Sequence, residues 1–146
     1  MHKTFDSRMD QAWWALRIGL GVGPFLAGLD KYFNFLTNWP GYLSPLALKI
    51  LPFSGSTFMH IVGVIEIIVG LAILTEWTRL GAYVASAWLV VIAINLASAG
   101  MFLDVAVRDL EMALAAFVLA RMTEVRNDAL RNDILSNQSA KAIDAV

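Results

Sequence analysis

Ionisable side chains set within long apolar runs are the residues of this sequence most able to do chemistry. Arg17 lies in the first run, His60 and Glu66 in the second, Asn95 in the third, and Asp104, Arg108, Asp109 and Glu111 in the fourth, while Asp30 and Lys31 close the first. A charged group in hydrocarbon costs about 3 kcal/mol on insertion scales, so such groups face a bundle interior, a watery cavity or one another. Two kinds of chemistry are open to them: ion pairing that holds helices together, and proton handling for a polar group bound between helices. At about 1.5 Å per residue, Arg17 lies little more than one turn inside Trp13, whereas Glu66 and Glu111 fall near the middle of their runs. The expected cluster is Arg17 with Glu66 and Glu111, because a guanidinium between two carboxylates neutralises like charges in low dielectric. His60, Asn95, Asp104, Arg108 and Asp109 are expected nearer the opposite surface, level with Asp30 and Lys31.

Structural roles are open to the same residues. Arg108 can be satisfied on its own helix by Asp104 four residues before and Glu111 three after, and Arg17 with Glu66 can be an ordinary buried pair. His60 could ligate a haem iron or a chlorophyll magnesium, but a histidine near a helix start is more often a hydrogen-bonded interfacial residue. The only other histidine is His2, at the terminus. That excludes a haem held by two histidines within the helices, and no metal site is expected.

The composition narrows the setting. The 146 residues are 58% hydrophobic and only 16% charged, with a mean hydropathy of +0.64, well outside the range of soluble domains. A formal charge of -1 offers no basic field for nucleic acid. The absence of cysteine removes disulfides, thiolate metal sites and cysteine-ligated redox centres, so any redox role needs a bound cofactor or a partner. No nucleophile elbow, P-loop, HExxH or dinucleotide fingerprint occurs; Gly19, Gly21 and Gly23 follow no strand and read as packing glycines. Four short helices without a broken pair in matching halves do not suggest a stand-alone transporter.

The elements that must position these residues are four apolar segments, Ala12 to Leu29, Phe58 to Leu74, Leu80 to Ala99 and Leu103 to Met122, each close to the roughly 20 residues a bilayer core requires. The polar opening and the length of the first segment read as a retained span rather than a cleaved signal. The expected fold is an all-α integral membrane four-helix bundle over residues 1–124, followed by a polar cytoplasmic helical tail over 125–146 that frays near Ser136. The turn Gly100 to Phe102 must join antiparallel neighbours. Between the first two spans, Ser44 and Pro45 start a short helix and Pro52 stops it. Lying on the outer membrane surface, that loop would set Trp39 and Tyr42 in the headgroup layer, as an anchor or as a lid. Lys3, Arg8, Arg79, Arg121, Arg126, Arg131 and Lys141 fall on one side and Lys31 and Lys49 on the other, which puts both termini in the cytoplasm.

Helical spacing sorts the polar residues onto stripes. Arg17, Gly21, Pro24, Gly28 and Lys31 form one; His60, Gly63, Glu66 and Gly70 a second; Asp104, Arg108, Glu111 and Ala115 a third. Stripes of small residues carrying charge suit close helix packing with polar groups turned inward.

Several of these residues carry a resemblance. The segment ALRIGLGVGPFLAGLDKYF, with Arg17, Gly19, Gly28, Leu29 and Lys31, resembles the opening of the DoxX family of small four-helix membrane proteins, where an early arginine and glycines precede a G-L-x-K ending. HIVGVIEIIVGLAILTEWTRLGA is similar to that family's second span, through Glu66, Gly70, Thr78, Arg79 and Gly81, and RDLEMALAAFVLA to its last, through Glu111. The likeness covers Ala15 to Arg121; it departs at Ala27, where the family often has histidine, at Arg108 and Asp109, and in the long aromatic loop.

The resemblance implies a bacterial inner-membrane subunit associated with oxidoreductases, similar to the small membrane component of thiosulfate:quinone oxidoreductase and to MauE-like maturation proteins. It places Arg17, Glu66 and Glu111 in a polar interior that a quinone enters from lipid; Arg108, Asp109, His60 and Asn95 join them as candidates from the reading of the residues alone. The leading expectation is a non-catalytic accessory subunit of a redox or energy-transducing complex, in contact with lipid and with other subunits. A quinone-reacting catalytic subunit and a structural or pigment-contacting subunit are the alternatives.

Overall fold

The computed structural model describes residues 6–100 and 102–144, all of whose regular structure is helical. His2 and Lys3, Met101 of the short turn, and the last two residues of the tail lie outside the described residues.

Helix α1 spans Ser7–Asp30 and begins where the Asp6 carboxylate accepts the Arg8 amide, one and a half turns before the apolar run opens. Pro24 sits inside it, a helix-interior proline that apolar surroundings and a packed neighbour tolerate. After α1 the chain reverses through Asn34, whose φ is 53°, and passes a 3-10 turn at Trp39–Tyr42 to helix α2, Pro45–Ile50. As the sequence foretells, Ser44 caps α2 by accepting the Ala47 amide, with Pro45 in the first turn. Ser54 does the same for helix α3, Gly55–Leu74, through the Thr57 amide. Helix α4, Thr78–Ala99, ends on Gly100 at φ 65°, the left-handed conformation that glycine adopts without strain. Helix α5 then runs unbroken over Leu103–Asp144. The expected fraying near Ser136 does not occur, and no break marks residues 124–125, because the segment holds neither glycine nor proline.

Glycines set the packing of α1 on α3. A Cβ on Gly28 would lie 2.5 Å from the Gly63 carbonyl oxygen, and one on Gly70 2.6 Å from that of Gly21, so the two backbones touch. The first two sequence stripes therefore meet each other, antiparallel. Gly81 lets α4 close on α3 at Ile73, α5 lies along α4, and α5 returns to α1. Trp13, Leu20, Val69, Ile73, Ala85 and Leu119 are central to the core these contacts enclose.

Three helices, α1, α3 and α4, are long and apolar enough to cross a membrane. α5 is not among them: Asp104, Arg108, Asp109 and Glu111 charge its first half and Arg121, Glu124 and Arg126 its middle.

Candidate functional site

The close approach of α1 and α3 builds a buried ion pair. Lys31, the residue after α1, places Nζ 2.5 Å from Oε2 of Glu66 in α3, with only 4% and 11% of the two side chains exposed. Lys31 follows Gly28 by one turn, and its stem passes over Gly63, where an added Cβ would lie 3.3 Å from the lysine Cβ. Gly63 thus clears the path along which the ammonium reaches back to Glu66. Asp109, half-buried on α5, interacts electrostatically with both Lys31 and Glu66. The Arg108 guanidinium, next to Asp109 on the same helix, acts on that carboxylate more strongly than Lys31 does, so in this layer between helices the two carboxylates are met by one ammonium and one guanidinium.

The loop after α1 closes this layer on one side. Asp30, itself buried, accepts the amides of Phe35 (3.0 Å) and Leu36 (3.1 Å) and the indole N–H of Trp39 (2.8 Å). That fold brings the Trp39 ring over Lys31, with Nζ 3.8 Å from the ring centroid. Asn95 pins the loop further along, donating to the Tyr42 carbonyl (3.0 Å) and accepting the Ser44 amide (3.3 Å). Tyr42 rests on Phe102. Trp39 and Tyr42, both half-buried, are held against the helices, Trp39 by its indole on the buried Asp30 carboxylate and Tyr42 by its backbone carbonyl on Asn95. The outward positions belong to Phe35, which is 86% exposed, Leu36 and Ile50. His60 stacks on Tyr32, with centroids 4.7 Å apart, and its carbonyl accepts the tyrosine hydroxyl.

The expected cluster of Arg17 with Glu66 and Glu111 is not formed. Gly21 faces Gly70, so Arg17, one turn earlier, lies opposite Leu74, eight residues beyond Glu66 and about 12 Å along the axis. Its guanidinium instead donates to the carbonyls of Ile73 (3.0 Å), Leu74 (2.8 Å) and Thr75 (2.6 Å), the unpaired oxygens at the negative end of α3. Thr78 donates to two of the same carbonyls, Ile73 and Thr75. The third stripe also fails to turn inward: Asp104, Arg108 and Glu111 are exposed, and α5 buries Ala106, Ala113, Ala116, Leu119 and Ala120. Alanines allow α5 to lie close on α4, and the charged positions fall on the far side of that contact.

Of the residues read from sequence as a polar interior, Asp109 lies in electrostatic range of Glu66 and of Arg108, His60 of α3 stacks on Tyr32, Asn95 of α4 holds the loop, and Arg17 and Glu111 lie elsewhere. Lys31 is the addition. Its stripe position three residues after Gly28, facing the Gly63 and Glu66 stripe, was the signal for it. Trp88 carries a further buried polar atom: its indole Nε1 has no hydrogen-bond partner among the described residues. The Gly81–Ile73 contact sets a register in which Trp88, seven residues on in α4, is level with Glu66, seven residues back in α3. Among the described residues no three histidine, aspartate or glutamate side chains are grouped to hold a metal ion. Comparison with known protein families, characterised proteins and solved structures returns no match.

Proposed function

We propose that the chain is a small integral membrane subunit of a redox or energy-transducing complex, of the kind the DoxX-like motifs imply, and that the Lys31–Glu66 layer receives the headgroup of a quinone. The observation that carries this reading is the buried Lys31–Glu66 ion pair between two helices apolar enough to cross a membrane, with the Asp109 carboxylate of α5 in electrostatic range of both. Holding α1 to α3 does not require it, because the glycine contacts already do so. Lys31 and Glu66 belong to separate motif segments, the G-L-x-K ending and the span-two glutamate, and they pair. Lys31 supplies a donor for a carbonyl oxygen, Trp88 a second at the same level, and Glu66 or Asp109 can hold a proton there. A quinone carries electrons in pairs with protons; the chain, without cysteine, offers no thiolate-held centre of its own and relies on a partner for the electrons. It acts as an accessory subunit rather than as the catalyst.

The same reading makes α5 a fourth crossing. It lies antiparallel along α4 over its first half, and Leu103, Val107, Leu110, Leu114 and Phe117 face outward beside the exposed apolar residues of α4. Both termini then share a side, the cytoplasmic one by the distribution of arginines, in a bacterial inner membrane.

Purification from native membranes in mild detergent, followed by lipid extraction, tests the proposal. The expected outcome is co-purification with a redox partner and retention of quinone, with the quinone lost from Lys31→Met. A wild-type protein that runs alone and yields no quinone contradicts it.

A further inference from the structure

The opposite end of the molecule carries a second charged arrangement, built from different residues. The guanidinium of Arg17 lies 4.8 Å from the ring centroid of Trp13, and that of Arg126, from α5, lies 4.3 Å from the same ring. Trp13 is fixed there because its indole N–H donates to Thr123 of α5 at 2.8 Å. One buried ring thus holds two cations within electrostatic range of each other.

Their negative partners are fewer. Asp10 accepts from Nε of Arg126 at 3.0 Å. No carboxylate among the described residues pairs with Arg17, whose Nε and Nη2 are spent on the three α3 carbonyls. The negative end of α3 offsets about half a charge. Nη1 of Arg17 and both Nη groups of Arg126 make no hydrogen bond to the described residues. The arrangement therefore keeps positive charge and unspent guanidinium donors around one indole, a set that matches the oxygens of a phosphate.

The site is reachable and lies at a membrane boundary. Arg17 also lies 4.9 Å from the ring centroid of Trp14, which is 44% exposed. α3 has 20 residues, about 30 Å, the thickness of a hydrocarbon core, and Arg17 sits at its C-terminal end where the chain turns into α4, which puts Arg17 at the boundary and Trp14 and Asp10 beyond it. Basic pockets between helices with aromatic residues at that depth suit an anionic headgroup.

We infer that Arg17 and Arg126, spaced by the Trp13 ring, bind the phosphate of an anionic lipid headgroup. The inference is independent of the quinone reading, since it uses neither Lys31 nor Glu66.

Binding of phosphatidylglycerol and of phosphatidylcholine from mixed micelles to the full chain, with inorganic phosphate as competitor, provides the test. Wild type is expected to prefer phosphatidylglycerol, and Arg126→Gln to lower that preference about fivefold. Asp10→Asn, which frees Arg126 without removing a cation, is expected to raise the preference and keeps the test open should Arg126→Gln misfold. Arg121→Gln changes an exposed cation at the same end, outside the site, and is expected to leave the preference intact. Equal binding of both lipids by wild type, or an equal loss in Arg121→Gln, would overturn the site. Displacement of the lipid by equimolar inorganic phosphate would overturn a lipid as the source of the phosphate.

Discussion

Lys31 and Glu66 illustrate how a buried charge depends on its partner. Removing one member of such a pair leaves the other uncompensated, so Lys31→Met is expected to destabilise the protein by about 3 kcal/mol, measured by denaturant titration in detergent. Lys31→Met combined with Glu66→Leu is expected to recover most of that loss, because a well-packed apolar pair of similar volume substitutes for buried charges at little cost. A double variant as unstable as the single one would mean that Glu66 has another obligatory partner. The sequence made both residues visible, on facing stripes and in separate motifs, yet distance along each helix suggested Arg17 for Glu66. What decided the pairing was helix register, set by Gly21 against Gly70 and Gly28 against Gly63, and the reach of a lysine stem across Gly63. Neither can be read from spacing within one helix.

At the scale of elements, Gly19, Gly21 and Gly23 all read as packing glycines in the sequence, but only the glycines on the stripe pack. Gly21 and Gly28 meet α3, whereas nothing lies within 4 Å of a Cβ added to Gly19 or Gly23. Gly28→Ala is therefore expected to cost about 1–3 kcal/mol through overpacking against the Gly63 backbone. Gly23→Ala should leave stability within about 1 kcal/mol of wild type. Thermal unfolding of both variants in one detergent makes the comparison, and equal losses would contradict the packing of α1 on α3. The loop before α2 tests a second element. Asn95→Leu removes its bonds to Tyr42 and Ser44, and faster proteolytic cleavage between residues 35 and 53 is the expected readout. The Ser44–Pro45 start of α2 was legible because capping is local chemistry. The seating of Trp39 against the helices was not, since it rests on Asp30 and Lys31 at the far end of the loop.

For the whole molecule, hydropathy fixed the membrane setting, and three of the four expected spans are helices of suitable length and composition. The remaining segment, the first half of α5, was harder to read because Asp104, Arg108, Asp109 and Glu111 interrupt its apolar run, and of these only Asp109 is half-buried. At 42 residues, α5 is about 63 Å long, twice the hydrocarbon thickness, so a crossing first half leaves the second half projecting beyond the surface. Four crossings place the two ends of the chain on one side; three place them on opposite sides. Because the chain has no cysteine, single cysteines report topology without background. The decisive measurement is labelling of Ser7→Cys, Ser54→Cys and Ser136→Cys by a membrane-impermeant maleimide in sealed vesicles of known orientation. Positions 7 and 136 are expected to label from the same side and position 54 from the other; labelling of position 136 together with position 54 would contradict a bundle of four crossings.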